Sequence, residues 1–354
     1  MNVRMFGSLV ALCVFVLSCS NGTTDSGDSS APSTDSDSQS ETDSATPPAA
    51  PVENGGEVVA EKRYELRGFA AGVAAGNYEP EDGSMIMADV LQMDDGTYRM
   101  YYGQRAPLPI GENIRVATSP DGESWTPADD DLALAGAKDD ADVTRIMGGP
   151  SVVRLPDGGY RMFVRCSPKP GSSGPDYHIR SAISENGLKF DDESPRIKNQ
   201  TMDPTSPWLT VGHGRFYALD DGTWAAIVTV EPNKGSPADL ALFTSTDTTN
   251  WTYQRILYED YHDPVVIRSG SDFLMIASYK TEYAAMMTST DGVTWPAQVT
   301  KLEFFEMGAT EPLANEDEVG DFGAMFRPDG QFVILANFPS RSSIAVFMEA
   351  KDGG

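Results

Sequence analysis

The sequence predicts an all-β fold, a five-bladed β-propeller of four-stranded antiparallel blades whose ring is closed by a strand from the N-terminal side. Three observations carry this prediction. Two apolar, β-branched or aromatic runs joined by a tight Asp-Gly or Gly-Ser loop recur five times. A seven-residue turn that opens on Ser and ends on an aromatic residue recurs four times, and no stretch reads as a long amphipathic helix. A repeat of this size makes each unit one blade of a radial array.

The hairpins follow in order. Met85–Met93 runs through Asp94-Asp95-Gly96 into Tyr98–Tyr102, and Ser151–Leu155 through Pro156-Asp157-Gly158-Gly159 into Tyr160–Arg165. Arg215–Leu219 turns at Asp220-Asp221-Gly222 into Trp224–Val230, and Val265–Arg268 at Ser269-Gly270-Ser271 into Phe273–Ala277. The fifth joins Ala324–Arg327 to Phe332–Ala336 through Pro328-Asp329-Gly330. Asp-Gly and Gly-Ser supply the positive φ angles that such loops need.

A third strand follows each hairpin: Asn113–Thr118, His178–Ile183, Asp239–Thr244, Tyr283–Thr288 and Ser343–Phe347. The first four run into the turns Ser119–Trp125, Ser184–Phe190, Ser245–Trp251 and Ser289–Trp295. Ser, Asp and Asn side chains in these turns hydrogen-bond the local backbone and the aromatic plugs the space beneath, which is a structural role. Arg255–Tyr258 and Leu302–Glu306 read as outer strands. Only one strand follows the fifth hairpin, so the alternating segment Val58–Leu66 is expected to supply its missing outer strand.

Domain organisation is expected as 1–18 signal peptide, 19–57 tether and 58–354 folded domain. Arg4 gives a positive start, and Leu9 to Leu17 is an apolar run too short to span a bilayer. Residues 19–57 are Ser, Thr, Asp, Gly and Pro with hardly a large apolar side chain, so nothing offsets the entropy of ordering them. The formal charge of -27 argues against nucleic acid and against anionic membrane surfaces as partners. A monomer is expected. Of three cysteines, Cys13 leaves with the signal, and Cys166 reads as a buried small hydrophobe. Three histidines exclude a histidine-rich metal centre, and no metal or cofactor is expected. Asp139, Asp140 and Asp142 lack the graded ligand pattern of a calcium loop.

Two resemblances add to this reading. Val16-Leu17-Ser18-Cys19 resembles the lipobox of bacterial lipoproteins, which implies cleavage before Cys19 and its lipidation. Ser20, in place of the Asp that retains such proteins in the inner membrane, implies an outer-membrane address, periplasmic or surface-facing, with membrane contact through the lipid only. The hairpin-and-turn unit resembles the five-bladed arabinanase, xylosidase and invertase group of glycoside hydrolases, and the turns resemble the Asp-boxes of sialidases. That resemblance implies a carbohydrate ligand over the central channel, with an Asp on the first blade as base or nucleophile. It also implies a tuning Asp on the third blade and a Glu acid on the fourth.

Carried over by position, Asp89 in Met87-Ala88-Asp89-Val90 matches the first-blade Asp. Gly148-Gly149-Pro150 stands at the start of the second blade with no acid, and Gly212-His213-Gly214 stands where the tuning Asp is expected. Tyr261-His262-Asp263-Pro264 places Asp263 one position from the expected acid, and the Glu itself is absent. Asp321, in Gly320-Asp321-Phe322-Gly323, offers another carboxylate beside the solvated acidic run Glu316-Asp317-Glu318. The function expected is a lipoprotein acting on carbohydrate as a glycoside hydrolase, with a non-catalytic glycan- or protein-binding propeller as the alternative. Asp89 and Asp263 are the candidate catalytic carboxylates. His213, His262, Asp321, Arg67, Arg145 and Arg165 are the candidate substrate-binding residues, the arginines by analogy with the sialidase cluster. Against each stands a structural role: a carboxylate fixing a backbone or Arg, a satisfied histidine, a surface ion pair.

Overall fold

The computed structural model describes residues 50–53, 55–70, 85–105, 112–135, 144–146, 148–168, 177–198, 210–231, 237–313, 319–338 and 343–350. The expected signal peptide, Cys19, nearly all of the expected tether, Asp139, Asp140, Asp142 and the run 316–318 lie outside them. Pro48–Gly354 forms one compact unit.

Every regular element among the described residues is a strand. β1 (Glu57–Phe69) comes first. β2 (Met85–Gln92), β3 (Tyr98–Arg105), β4 (Glu112–Ser119) and β5 (Thr126–Leu134) form a first antiparallel set, hydrogen-bonded in chain order. The second set starts with two short pieces, β6 (Thr144–Ile146) and β7 (Ser151–Arg154), both paired with β8 (Tyr160–Pro168). It continues through β9 (His178–Ser184) to β10 (Asp191–Lys198). The third set is β11 (Thr210–Ala218), β12 (Trp224–Glu231), β13 (Asp239–Ser245) and β14 (Thr252–Tyr258). The fourth is β15 (Tyr261–Ser269), β16 (Asp272–Tyr279), β17 (Tyr283–Ser289) and β18 (Gln298–Phe305). Three strands remain after it: β19 (Gly320–Phe326), β20 (Phe332–Phe338) and β21 (Ser343–Glu349).

β1 pairs antiparallel with β21 from Tyr64 to Phe69 and parallel with β18 from Glu57 to Glu65, so it joins two sets into one eight-stranded sheet. The second pairing was not readable from the alternation in 58–66. The chain also joins the folded unit at Val52, ahead of position 58: the Val52 amide donates to Leu257 O at 2.9 Å, and Tyr261 Oη donates to Gly55 O at 2.7 Å.

Five apolar clusters fill the spaces between neighbouring sets. One packs Met100, Tyr102 and Trp125 of the first set against Leu335, Val346 and Met348 of the last three strands. The middle strands are buried on both faces; in Trp224–Glu231 seven of eight residues are buried, which explains their continuous rather than alternating apolar character. Each recurrent turn is tied together and then docked on a neighbouring set. In the third turn Ser245 Oγ accepts the Thr248 amide at 2.9 Å, and Asp247 Oδ1 accepts the Thr249 and Asn250 amides at 2.8 Å. Tyr101 of the first set donates to Gly187 O of the second turn at 2.8 Å, and Tyr217 of the third set donates to Gly292 O of the fourth turn at 2.7 Å.

Candidate active site

Four first strands, β2, β11, β15 and β19, carry one extra residue against their partners. The shifts fall between Ile86 and Asp89, Val211 and Gly214, His262 and Val265, and Gly320 and Gly323. Such bulges bend a strand start and re-aim its side chains. They place Met87, Asp263 and Asp321 at one equivalent position, with φ of 48°, 50° and 47°. Non-glycine residues in this left-handed region store strain, which collects at functional sites. Asp89 therefore lies two residues beyond the position that Asp263 and Asp321 share. The sequence match could not see this, because a bulge shifts register without changing composition.

Asp263 sits between two histidines. His213 Nδ1 is 3.1 Å from Oδ1 and His262 Nδ1 is 3.0 Å from Oδ2. His262 Nε2 lies 3.1 Å from Lys280 O; a carbonyl only accepts, so this nitrogen carries a proton. The Asp263 amide donates to Thr229 Oγ1 at 3.0 Å, fixing the strained backbone. Burial pushes the Asp263 carboxyl up, but the His213 and His262 hydrogen bonds outweigh it and hold the group well below the usual carboxylate range. Asp321 behaves in the opposite way. Burial, and then the negative charge of Asp263, push its carboxyl up to about 6, while Asn337 Nδ2 donates to Oδ2 at 3.2 Å. One carboxyl is held ionised and the other is held neutral in mild acid, the arrangement that acid–base chemistry needs.

Asp89 is engaged elsewhere. Its Oδ1 is 2.5 Å from Arg215 Nη1 and its Oδ2 accepts the Val152 amide at 2.6 Å. Burial pushes this carboxyl up against the opposing pull of the Arg215 guanidinium. A narrow cavity opens beside them, lined by Met87, Gly149, His213, Arg215, Asp263 and Phe322 among others. Gly149 explains why the second set starts without an acid. A Cβ there would stand 2.2 Å from His213 Cδ2, so the imidazole occupies the space a side chain would need.

Of the predicted residues, His213, His262, Asp263 and Asp321 come together, and Asp89 joins them through Arg215. Arg67 and Arg165 meet other partners. Arg67 is on β1, paired with Glu65 at 3.2 Å, and the Arg165 guanidinium lies 4.7 Å over the Tyr177 ring. Arg145 is in β6, and its side chain lies outside the described residues. Sequence reasoning missed Arg215, Thr229 and Asn337. The signal for Arg215 was a cation inside the apolar run Gly214–Ala218; Thr229 and Asn337 gave none. A groove of about 750 Å³ at the hairpin end of the second set, against Leu155, Asp157–Gly159 and Ser184–Asn186, is lined by none of these carboxyls. There Asp157 accepts the Gly159 amide of its own loop at 3.0 Å.

No protein-family model matches the sequence, and no curated protein matches it. Solved structures do match. A family 117 glycoside hydrolase from the marine bacterium Zobellia galactanivorans superposes with a TM-score of 0.59 at 14% identity, covering 82% of this chain and 93% of that one. A family 43 β-1,3-galactosidase bound to galactodeoxynojirimycin gives 0.57 at 14% identity, covering 75% and 90%. An endo-arabinase from Bacteroides thetaiotaomicron gives 0.53 at 14% identity, covering 81% and 99%. At this identity the likeness is one of fold: an all-β architecture of four-stranded antiparallel sheets shared with these propeller hydrolases.

Proposed function

We propose that the protein acts on carbohydrate as a glycoside hydrolase, with Asp263 and Asp321 as its working carboxyls. The observation that carries this is the separation of their proton affinities at equivalent strand starts. Protonated Asp321 delivers its proton to the departing glycosidic oxygen, and ionised Asp263 takes a proton from attacking water or stabilises the cationic sugar. Asp263 and Asp321 are preferred to the pair Asp89 and Asp263, because the Arg215 guanidinium already neutralises Asp89. The family resemblance and the hydrolase fold of the neighbours support carbohydrate as the substrate class. The test is a chromogenic-glycoside and glycan-array screen of the protein beside Asp263→Asn, Asp321→Asn and Asp89→Asn. Turnover lost in the first two supports the assignment; turnover kept in both overturns it. Binding without turnover would make this the glycan-binding propeller, a reading favoured by the absent fourth-blade Glu.

The finer architecture belongs to the same proposal: five blades in a ring, closed by β1 as the outer strand of the fifth. The apolar cluster between the first set and the last three strands and the β1–β21 ladder support it. We also propose an extracytoplasmic lipoprotein anchored at Cys19 to the outer membrane, supported by the lipobox-like 16–19 and the Ser-, Thr-, Asp- and Pro-rich composition that follows it. Metabolic labelling with an alkynyl fatty acid tests this: incorporation lost in Cys19→Ala supports it, and incorporation retained there overturns it.

A further inference from the structure

We propose that Arg215 and Asp89 form a positioning clasp that sets how His213 meets Asp263, so that the proton balance of the two working carboxyls is controlled from outside the pair. The inference rests on the reading of Asp263 and Asp321 given above. Arg215 is buried at 5% exposure, and its guanidinium reaches two other strand starts. Nη1 meets Asp89 Oδ1 at 2.5 Å and Pro150 O at 3.3 Å, and Nη2 donates to Ala88 O at 3.2 Å. Asp89 passes the connection on through the Val152 amide, and Ser151 Oγ accepts the Phe216 amide at 3.0 Å, so β2, β7 and β11 are stitched at one level.

The stitch bears on His213 from two sides. His213 lies two residues before Arg215 on β11, inside the bulge. The residue whose missing side chain makes room for the imidazole is Gly149, immediately before the Pro150 carbonyl that Arg215 holds. Any shift of the clasp therefore moves the wall behind the ring whose Nδ1 donates to Asp263. A buried ion pair kept only for stability is often replaceable by apolar residues. This guanidinium also spends donors on two backbone carbonyls, Ala88 O in β2 and Pro150 O just before β7, which suits positioning.

The chain has three histidines, His178, His213 and His262, so ¹⁵N-histidine labelling of the full protein gives one pair of ring-nitrogen signals per histidine, assigned by single His→Asn replacements. Arg215→Lys cannot reach both carbonyls, and Asp89→Asn keeps an acceptor for the Val152 amide while losing the charge. Both are expected to move the His213 ring-nitrogen signals, leaving those of His178 in place. Gly149→Ala, which does not touch Arg215, should move the same signals. Unchanged His213 signals in folded Asp89→Asn would overturn the clasp, and that milder variant decides the matter where Arg215→Lys fails to fold. On a substrate that is turned over, kcat should fall about tenfold with KM nearly unchanged. Lower turnover with His213 unmoved would sink the clasp and leave the hydrolase reading standing. A moved His213 with no glycoside turned over would do the reverse.

Discussion

At the scale of single residues, the site is a contrast between two carboxyls in one backbone conformation. Asp321 titrates near 6 and must be protonated to act as an acid, whereas Asp263 stays ionised far below neutrality. Turnover is therefore expected to hold through mild acid and fall above about pH 6, and a rate that instead rises through pH 6 would reverse the two roles. The same shift has a stability sign. A folded value raised above the unfolded one, about 3.9, means stabilisation that is full below pH 4 and is lost as pH rises through 6. Asp321→Asn removes that loss, and Asn tolerates the φ of 47°. The variant should be more stable than the parent by about 1–3 kcal/mol at pH 8 and about equal at pH 4, as read by denaturant titration. Asp321→Ala should gain less, because Ala pays about 1 kcal/mol for the left-handed backbone.

At the scale of elements, the turns show how local chemistry and docking divide the work. Gly292 has φ of 75°, and an added Cβ would stand 2.9 Å from Leu219 Cδ2 and 3.0 Å from Phe273 Cε2. Gly96, in a hairpin loop, has φ of 82° and nothing within 4 Å. Gly96→Ala should cost only the conformational part, about 1 kcal/mol, and Gly292→Ala about 1–3 kcal/mol more through overpacking. Equal losses in thermal unfolding would mean that the turn does not depend on its dock. This division also explains what the sequence could reveal. The hairpins and turns were legible because Asp-Gly, Ser and a terminal aromatic act within a few residues of each other. His213, His262, Asp263 and Asp321 were legible because scarce polar residues stood at strand starts. The Arg215–Asp89 contact spans 126 positions and Asp321–Asn337 crosses a bulged ladder, and neither has a local signature. The bulge itself, which makes Asp263 the equivalent of Met87 rather than of Asp89, follows from pairing between strands and not from either strand alone.

At the scale of the whole folded unit, β1 is the strand that joins the fourth set to the last three strands. It is the one described strand held parallel on one side and antiparallel on the other, and it carries Tyr64 at 0% exposure and Leu66 at 8% into the cluster with Phe304, Phe322 and Phe347. Burying those two side chains is worth about 3–6 kcal/mol, a large part of the 5–15 kcal/mol that holds a typical protein folded. A chain that begins after Phe69 also leaves the edges of β18 and β21 unpaired, which favours association between copies. Such a truncation should lose its cooperative thermal transition or aggregate, whereas a chain beginning at position 50 should melt as the full protein does. Adding a peptide of residues 50–70 should restore the transition, because the strand docks through backbone pairing on both edges and needs no covalent link to β2. A truncated chain that melts unchanged would mean that the β18–β1–β21 junction adds nothing to stability, and would remove the main support for a ring closed by its N-terminal strand.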